Sequence, residues 1–113
     1  MLTGLVAALH VGFLVLEMFF WDTPLGRRVF RTTPKYSKAS RALAANQGLY
    51  NGFLAAGLLW GLYLGAAGGP ARVFFLSCVV VAGVFGAITV SRRILLVQAL
   101  PGLIALANEL ALR

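Results

Sequence analysis

Four long apolar runs set the pattern of this chain, and polar or turn-forming connections separate them. The first run covers about residues 2–21, and at 1.5 Å per residue it reaches about 30 Å, the thickness of a bilayer's hydrocarbon core. It closes on Phe19, Phe20 and Trp21, an interfacial aromatic anchor. Asp22, Thr23 and Pro24 then read as a helix cap with proline in a first turn, and a short surface helix is expected through residues 25–30. The second run, about 42–64, carries glycines four residues apart, Gly48 and Gly52, then Gly57, Gly61 and Gly65. In water these glycines would weaken a helix; in lipid they let a neighbouring helix approach closely. Gly68, Gly69 and Pro70 give a turn signal before the third run, about 73–90. Its β-branched core would suit a strand in water, but its length and lack of charge favour a membrane helix. The fourth run, about 94–112, is interrupted by Pro101 and Gly102. The expected architecture is an all-α transmembrane four-helix bundle forming one domain over residues 1–113.

Composition sharpens this reading. Of 113 residues, 60% are hydrophobic and 12% charged, whereas a soluble domain carries about a quarter charged residues. Secretory leaders open on basic residues, but no Lys or Arg precedes Arg27 and the first run contains Glu17, so that run is expected to be retained as a span. The net charge of +7 does not indicate nucleic acid, because no basic face is interleaved with stacking aromatics. Of the ten basic residues, six fall in the first connection (Arg27, Arg28, Arg31, Lys35, Lys38, Arg41) and two in the third (Arg92, Arg93). The second connection has only Arg72. The positive-inside rule then places both basic connections in the cytoplasm, against anionic headgroups, and both chain ends on the non-cytoplasmic side. The single cysteine, Cys78, lies within an apolar run and reads as a packing residue.

The candidate chemistry comes from polar residues inside the apolar runs. Counted from the cytoplasmic ends, Glu17, Asn46, Gln47, Thr89 and Gln98 all fall about 6–9 Å below the interface, with His10 and Asn51 deeper. Four helices therefore offer polar groups at one level. A charge at the bilayer centre costs at least ~2.5 kcal/mol, so Glu17 is expected to face inward, with Arg41 or Arg92 reaching it and Asn46 or Gln98 bonded to it. Pro101 cannot bond back to the carbonyl of Val97, which frees an acceptor beside Gln98. Plainer readings stand alongside: amides that only join helices, Glu17 as a structural partner of an arginine, and His10 as a satisfied interior residue. The glycine repeat reads as packing, and Asn108 and Glu109 as wet residues near an outer end. No Cys/His pattern for zinc or haem, no phosphate loop and no Ser-His-Asp set is found, so neither a metal nor a cofactor is expected. Single-chain ion pores are set aside because rings of like charge or ordered carbonyls are missing.

Three stretches, LEMFFWDTP (residues 16–24), LAANQGLYNGFLAAGLLWG (43–61) and ILLVQALPGLIAL (94–106), resemble the domain-of-unknown-function 1304 family. The resemblance covers nearly the whole chain, and ANQGLYNG is its most specific motif. It implies a small integral membrane protein of a kind found in bacteria and some fungi, expected here in a bacterial inner (cytoplasmic) membrane, and leaves activity open. It falls on Glu17, Asn46, Gln47, Tyr50, Asn51, Gln98 and Pro101, the same polar positions. A weaker likeness is to the membrane-associated eicosanoid and glutathione metabolism enzymes, trimers of four-helix chains, through Arg41 and Asn46. The acidic residue those enzymes carry further along the same helix is missing here.

The leading functional expectation is a protein that binds or transports a small amphipathic ligand in a cytoplasm-facing polar pocket. Glu17, Arg41, Asn46, Gln47, Tyr50, Asn51 and Gln98 form the candidate ligand-binding set. The alternatives are a membrane enzyme in which His10 and Glu17, two turns apart on one helix face, do acid–base work on a lipid-soluble substrate, and a non-catalytic assembly partner. Membrane lipids are expected partners, with a homo-oligomer through the glycine face of the second run.

Overall fold

A computed structural model describes residues 2–112. Helices account for nearly all of them, and no strand occurs among the described residues. The order is α1 (Leu2–Phe19), α2 (Pro24–Phe30), α3 (Pro34–Ala39), α4 (Arg41–Tyr63), a 3-10 turn (Gly65–Gly68), α5 (Gly69–Thr89), a π-turn (Leu95–Ala99) and α6 (Leu100–Ala111). Each expected run is thus helical. Two stretches are long and apolar enough to cross a membrane: Leu2–Phe19, with mean hydropathy 1.9, and Gly65–Thr89, with 2.2. Helix α4 has the length, with 23 residues, but Asn46, Gln47, Tyr50 and Asn51 dilute its apolarity. The helical stretch Leu95–Ala111 is apolar but shorter.

The described residues divide into two compact units. One comprises residues 9–53 and the other residues 2–8 with 54–112, so α1 and α4 contribute to both.

Within residues 9–53, the connector between α1 and α4 is fully structured. Thr23 caps α2, its hydroxyl accepting from the Gly26 N–H at 3.2 Å, and Pro24 occupies the first turn, as the sequence pattern predicts. Thr33 and Pro34 repeat the device on α3, with the Tyr36 N–H donating to the Thr33 hydroxyl at 3.1 Å. Between them Arg31 takes a left-handed conformation (φ 56°), ends α2 and returns its N–H to the Arg27 carbonyl.

The end of α1 corrects the expected boundary. The helix stops at Phe19, and Trp21 is folded into the connector instead of ending a span. Its ring packs on Phe30 at 4.8 Å and its indole N–H donates to the Ser40 hydroxyl at 3.0 Å. The cause is a tight turn. The Thr23 hydroxyl donates to the Phe20 carbonyl at 2.6 Å, and Gly26 lies so close that a β-carbon there would be 1.9 Å from that same oxygen.

In the unit of residues 2–8 and 54–112, the core gathers Val6, Ala7, Leu58, Leu76, Val79 and Ala105. Helix α5 meets the π-turn and α6 through small residues. A β-carbon on Gly83 would lie 2.6 Å from the Ala99 nitrogen, and one on Gly102 would lie 2.7 Å from Val79. Gly68, Gly69 and Pro70 were expected to make the turn before the third run; instead they lead straight into α5, with Pro70 in its first turn. The chain turns at Gly65, whose φ of 61° suits glycine.

The expected interruption at Pro101 also takes a different form. Pro101 sits in the first turn of α6, and the disturbance lies before it, where the Leu100 N–H bonds the Leu95 carbonyl five residues back. Proline has no N–H to return to Val97 and its ring crowds that carbonyl, so the preceding turn widens into a π-turn that includes Gln98.

Candidate functional site

The carboxyl group of Glu17 and the carboxamide of Asn51 meet within the unit of residues 9–53, the Asn51 Nδ2 donating to the Glu17 Oε1. Glycine makes the meeting feasible. A β-carbon on Gly48 would lie 2.7 Å from the Met18 Cγ, 3.1 Å from the Glu17 Cβ and 3.2 Å from the Leu14 carbonyl. One on Gly52 would lie 2.6 Å from the Leu14 side chain. The last two turns of α1 therefore lie in a groove cut by Gly48 and Gly52, and Asn51, on the same face, reaches across to Glu17. Asn51 is buried and Glu17 half-buried.

The other expected site residues are placed differently. Arg41, Asn46, Gln47 and Tyr50 are exposed on the first half of α4, with Tyr50 resting against Phe53 at 5.9 Å. The ion pairs among the described residues are Arg27–Asp22 and Arg72–Glu109, so the expected pairing of Arg41 with Glu17 is not formed. An exposed arginine at a helix start keeps its hydration, which a half-buried carboxyl would make it give up. Gln98 is half-buried in the π-turn of the other unit. His10 is fully buried on α1, edge-on to Phe13 at 5.3 Å. Two helical turns separate it from Glu17, about 10 Å of rise, so joint chemistry would need a substrate spanning that gap.

A second polar cluster is one the depth count missed. In the unit of residues 2–8 and 54–112, Arg72 Nε donates to Glu109 Oε2 at 2.9 Å, and the Thr3 hydroxyl donates to the same oxygen at 3.1 Å. Arg72 Nη1 also donates to the carbonyls of Gly61 and Gly65 at 2.6 and 2.7 Å. Glu109, expected to be wet, is instead part-buried and paired, because the arginine supplies both charge and donors; Asn108 is exposed as expected. Counting inward from the outer ends of the runs would have set Thr3, Arg72 and Glu109 beside one another. The third acid, Asp22, accepts from Arg27 at 2.9 Å and from the Ser37 hydroxyl at 2.7 Å, tying α2 and α3 together.

The glycines of α4 are covered by the chain itself. Gly48 and Gly52 face α1, a β-carbon on Gly57 would lie 2.5 Å from the Phe75 ring, and one on Gly61 would lie 2.6 Å from Arg72. Among the described residues no three of His, Cys, Asp and Glu come together as a metal ion would need. An open apolar groove runs along Pro70, Val73, Phe74, Ser77 and Leu110.

These features define a small all-helical protein with two helices suited to a membrane and a carboxyl–carboxamide pair held on apolar helices. Its residues 4–110 match the family described as protein of unknown function (DUF1304), and the chain belongs to that family. No match is found among curated proteins or among solved structures.

Proposed function

We propose that the chain is an integral membrane protein of the bacterial inner membrane that crosses the bilayer four times. Both ends lie on the non-cytoplasmic side, and Glu17 anchors a small amphipathic ligand. The observation that carries this reading is that Glu17 has a neutral carboxamide as its partner, while the chain's other two acids each hold an arginine. A carboxylate accepts about four hydrogen bonds, and Asn51 supplies one. An ionisable group on a membrane helix that lacks a counter-charge is a place for one to arrive from outside. The ligand class that fits is an amphiphile with an ammonium or similar cationic head and an apolar tail. Arg41, Asn46, Gln47 and Tyr50, which belong to the same unit, are candidates for orienting it.

The test uses the full chain in a neutral detergent, with decylammonium as the probe and decanol as the uncharged control. Decylammonium should raise the thermal unfolding midpoint of the natural protein above the decanol value, and Glu17→Gln should remove that difference. Equal responses to the two probes, or an undiminished response in the variant, would defeat the reading.

A further inference from the structure

Apart from its Glu17 site, the unit of residues 9–53 carries a set of cations without carboxylates to answer them. The connector between α1 and α4, taken together with Arg41 at the start of α4, contains six basic residues and one acid, Asp22. That acid is already engaged by Arg27 and Ser37. Arg28, Arg31, Lys35, Lys38 and Arg41 are all exposed, and the ion pairs among the described residues include none of them. Their placement follows from how the two short helices are seated. Gly26 of α2 and Ser37 of α3 are buried, Gly26 against the Phe20 carbonyl and Ser37 on Asp22. Two residues along a helix is a turn of about 200°, so Arg28 and Lys35 project away from those buried contacts.

Lys35 and Lys38 stand three residues apart within α3, a spacing that makes like charges neighbours and opposes helix formation, and Arg31 adds a further cation at the left-handed end of α2. Two threonine caps, two first-turn prolines, the Asp22 hub and the Trp21–Phe30 stack nonetheless hold the connector. Phe19, Phe20 and Leu25 are exposed in and beside the same segment. A surface that fixes cations next to apolar side chains matches a leaflet interface, where phosphates lie just above acyl chains.

We infer that this connector is a docking platform for anionic phospholipid headgroups, bound through Arg28, Arg31, Lys35, Lys38 and Arg41. The inference rests on the membrane reading but not on the Glu17 site. The test takes the full chain in neutral detergent and adds phosphatidylglycerol or phosphatidylcholine in matched amounts. Phosphatidylglycerol should raise the unfolding midpoint by several degrees more than phosphatidylcholine, and high salt should shrink that difference. The quadruple variant R28Q/R31Q/K35Q/K38Q, which spares the Arg27–Asp22 pair, should lose it. The charge-preserving R28K/R31K/K35R/K38R should keep it. Should the glutamine variant not fold, native mass spectrometry of the natural protein in an equimolar mixture of the two lipids decides, with phosphatidylglycerol adducts expected to dominate. Equal shifts from both lipids, retention in the glutamine variant, equal adduct populations, or a matching shift from inorganic phosphate alone would each overturn the proposal. Decylammonium binding is read separately, so a failure here leaves the Glu17 site standing, and the reverse.

Discussion

Glu109 and Glu17 are both carboxyl groups on apolar helices, yet their surroundings differ in kind. Glu109 has a guanidinium at 2.9 Å and a threonine hydroxyl at 3.1 Å on one oxygen. The same guanidinium is held by two backbone carbonyls near the end of α4. Every charge there is answered from within the chain, so the cluster works as a clamp joining residues from four helices. Glu17 has one neutral donor, Asn51, and its helix is seated by glycine rather than by charge. The contrast shows how a structural acid and a candidate functional one can be told apart: the former is matched in charge, whereas the latter keeps an unanswered acceptor.

The clamp supplies the largest expected effect. Arg72→Met should destabilise the protein by about 3 kcal/mol or more, because it strands Glu109 without its counter-charge and removes the donor to the Gly61 and Gly65 carbonyls. The double variant R72M/E109M should recover part of that loss, since no unpaired acid remains. Reversible unfolding in mixed micelles measures both. If the single variant is as stable as the natural protein, Glu109 is no better answered than Glu17 and the comparison collapses.

Next comes the glycine groove. Gly48→Ala should cost about 1–3 kcal/mol, because its β-carbon would fall 2.7 Å from the Met18 Cγ and 3.2 Å from the Leu14 carbonyl, forcing α1 outward. That displacement should also break the Asn51–Glu17 contact, so decylammonium binding falls with stability. Gly12→Ala serves as the control, since nothing lies within 4 Å of its β-carbon position. Equal effects from the two substitutions would mean that Gly48 acts through helix propensity alone.

The helices could be read from the lengths of the apolar runs, because a bilayer-long apolar segment has few other stable forms. The caps at Thr23 and Pro24 were equally legible, being local chemistry. Trp21 was not: an aromatic at the end of an apolar run looks the same whether it anchors at an interface or folds under a turn. The Arg72–Glu109 pair joins residues thirty-seven positions apart, and which charges meet across helices is settled by packing. For the site, the sequence pointed to Asn46 or Gln98 as the donor to Glu17 and set Asn51 deeper, whereas the donor is Asn51. The phase of the glycines was the missed signal. Asn51 stands three residues from Gly48 and shares the face that α1 covers, whereas Asn46 points about 200° away.

A smaller effect tests how fully Glu109 is satisfied. Thr3 is buried, and Thr3→Val keeps its shape while removing the hydroxyl that donates to Glu109. The arginine remains, so the loss should be about 1 kcal/mol, the ordinary net worth of one hydrogen bond. Thermal unfolding of Thr3→Val beside R72M would show the two donors acting on one oxygen, with the double substitution costing more or less than the sum of the two.

Glu17→Gln should have the smallest effect on stability, within about 1 kcal/mol, and the largest on binding. The glutamine oxygen can still accept from Asn51, the shape of the side chain is kept, and no arginine is left stranded by the change. Glu109→Gln makes the matching change at the clamp and removes a charge that Arg72 needs, so it should cost about 3 kcal/mol. Measuring both variants for unfolding and for decylammonium binding puts the two carboxyl groups on one scale. The expected pattern is crossed: Glu109→Gln lowers stability and leaves decylammonium binding in the folded fraction intact, and Glu17→Gln does the reverse. A large stability loss in Glu17→Gln would make that carboxyl a second clamp, and the chain would then have no acid free to meet a cationic ligand.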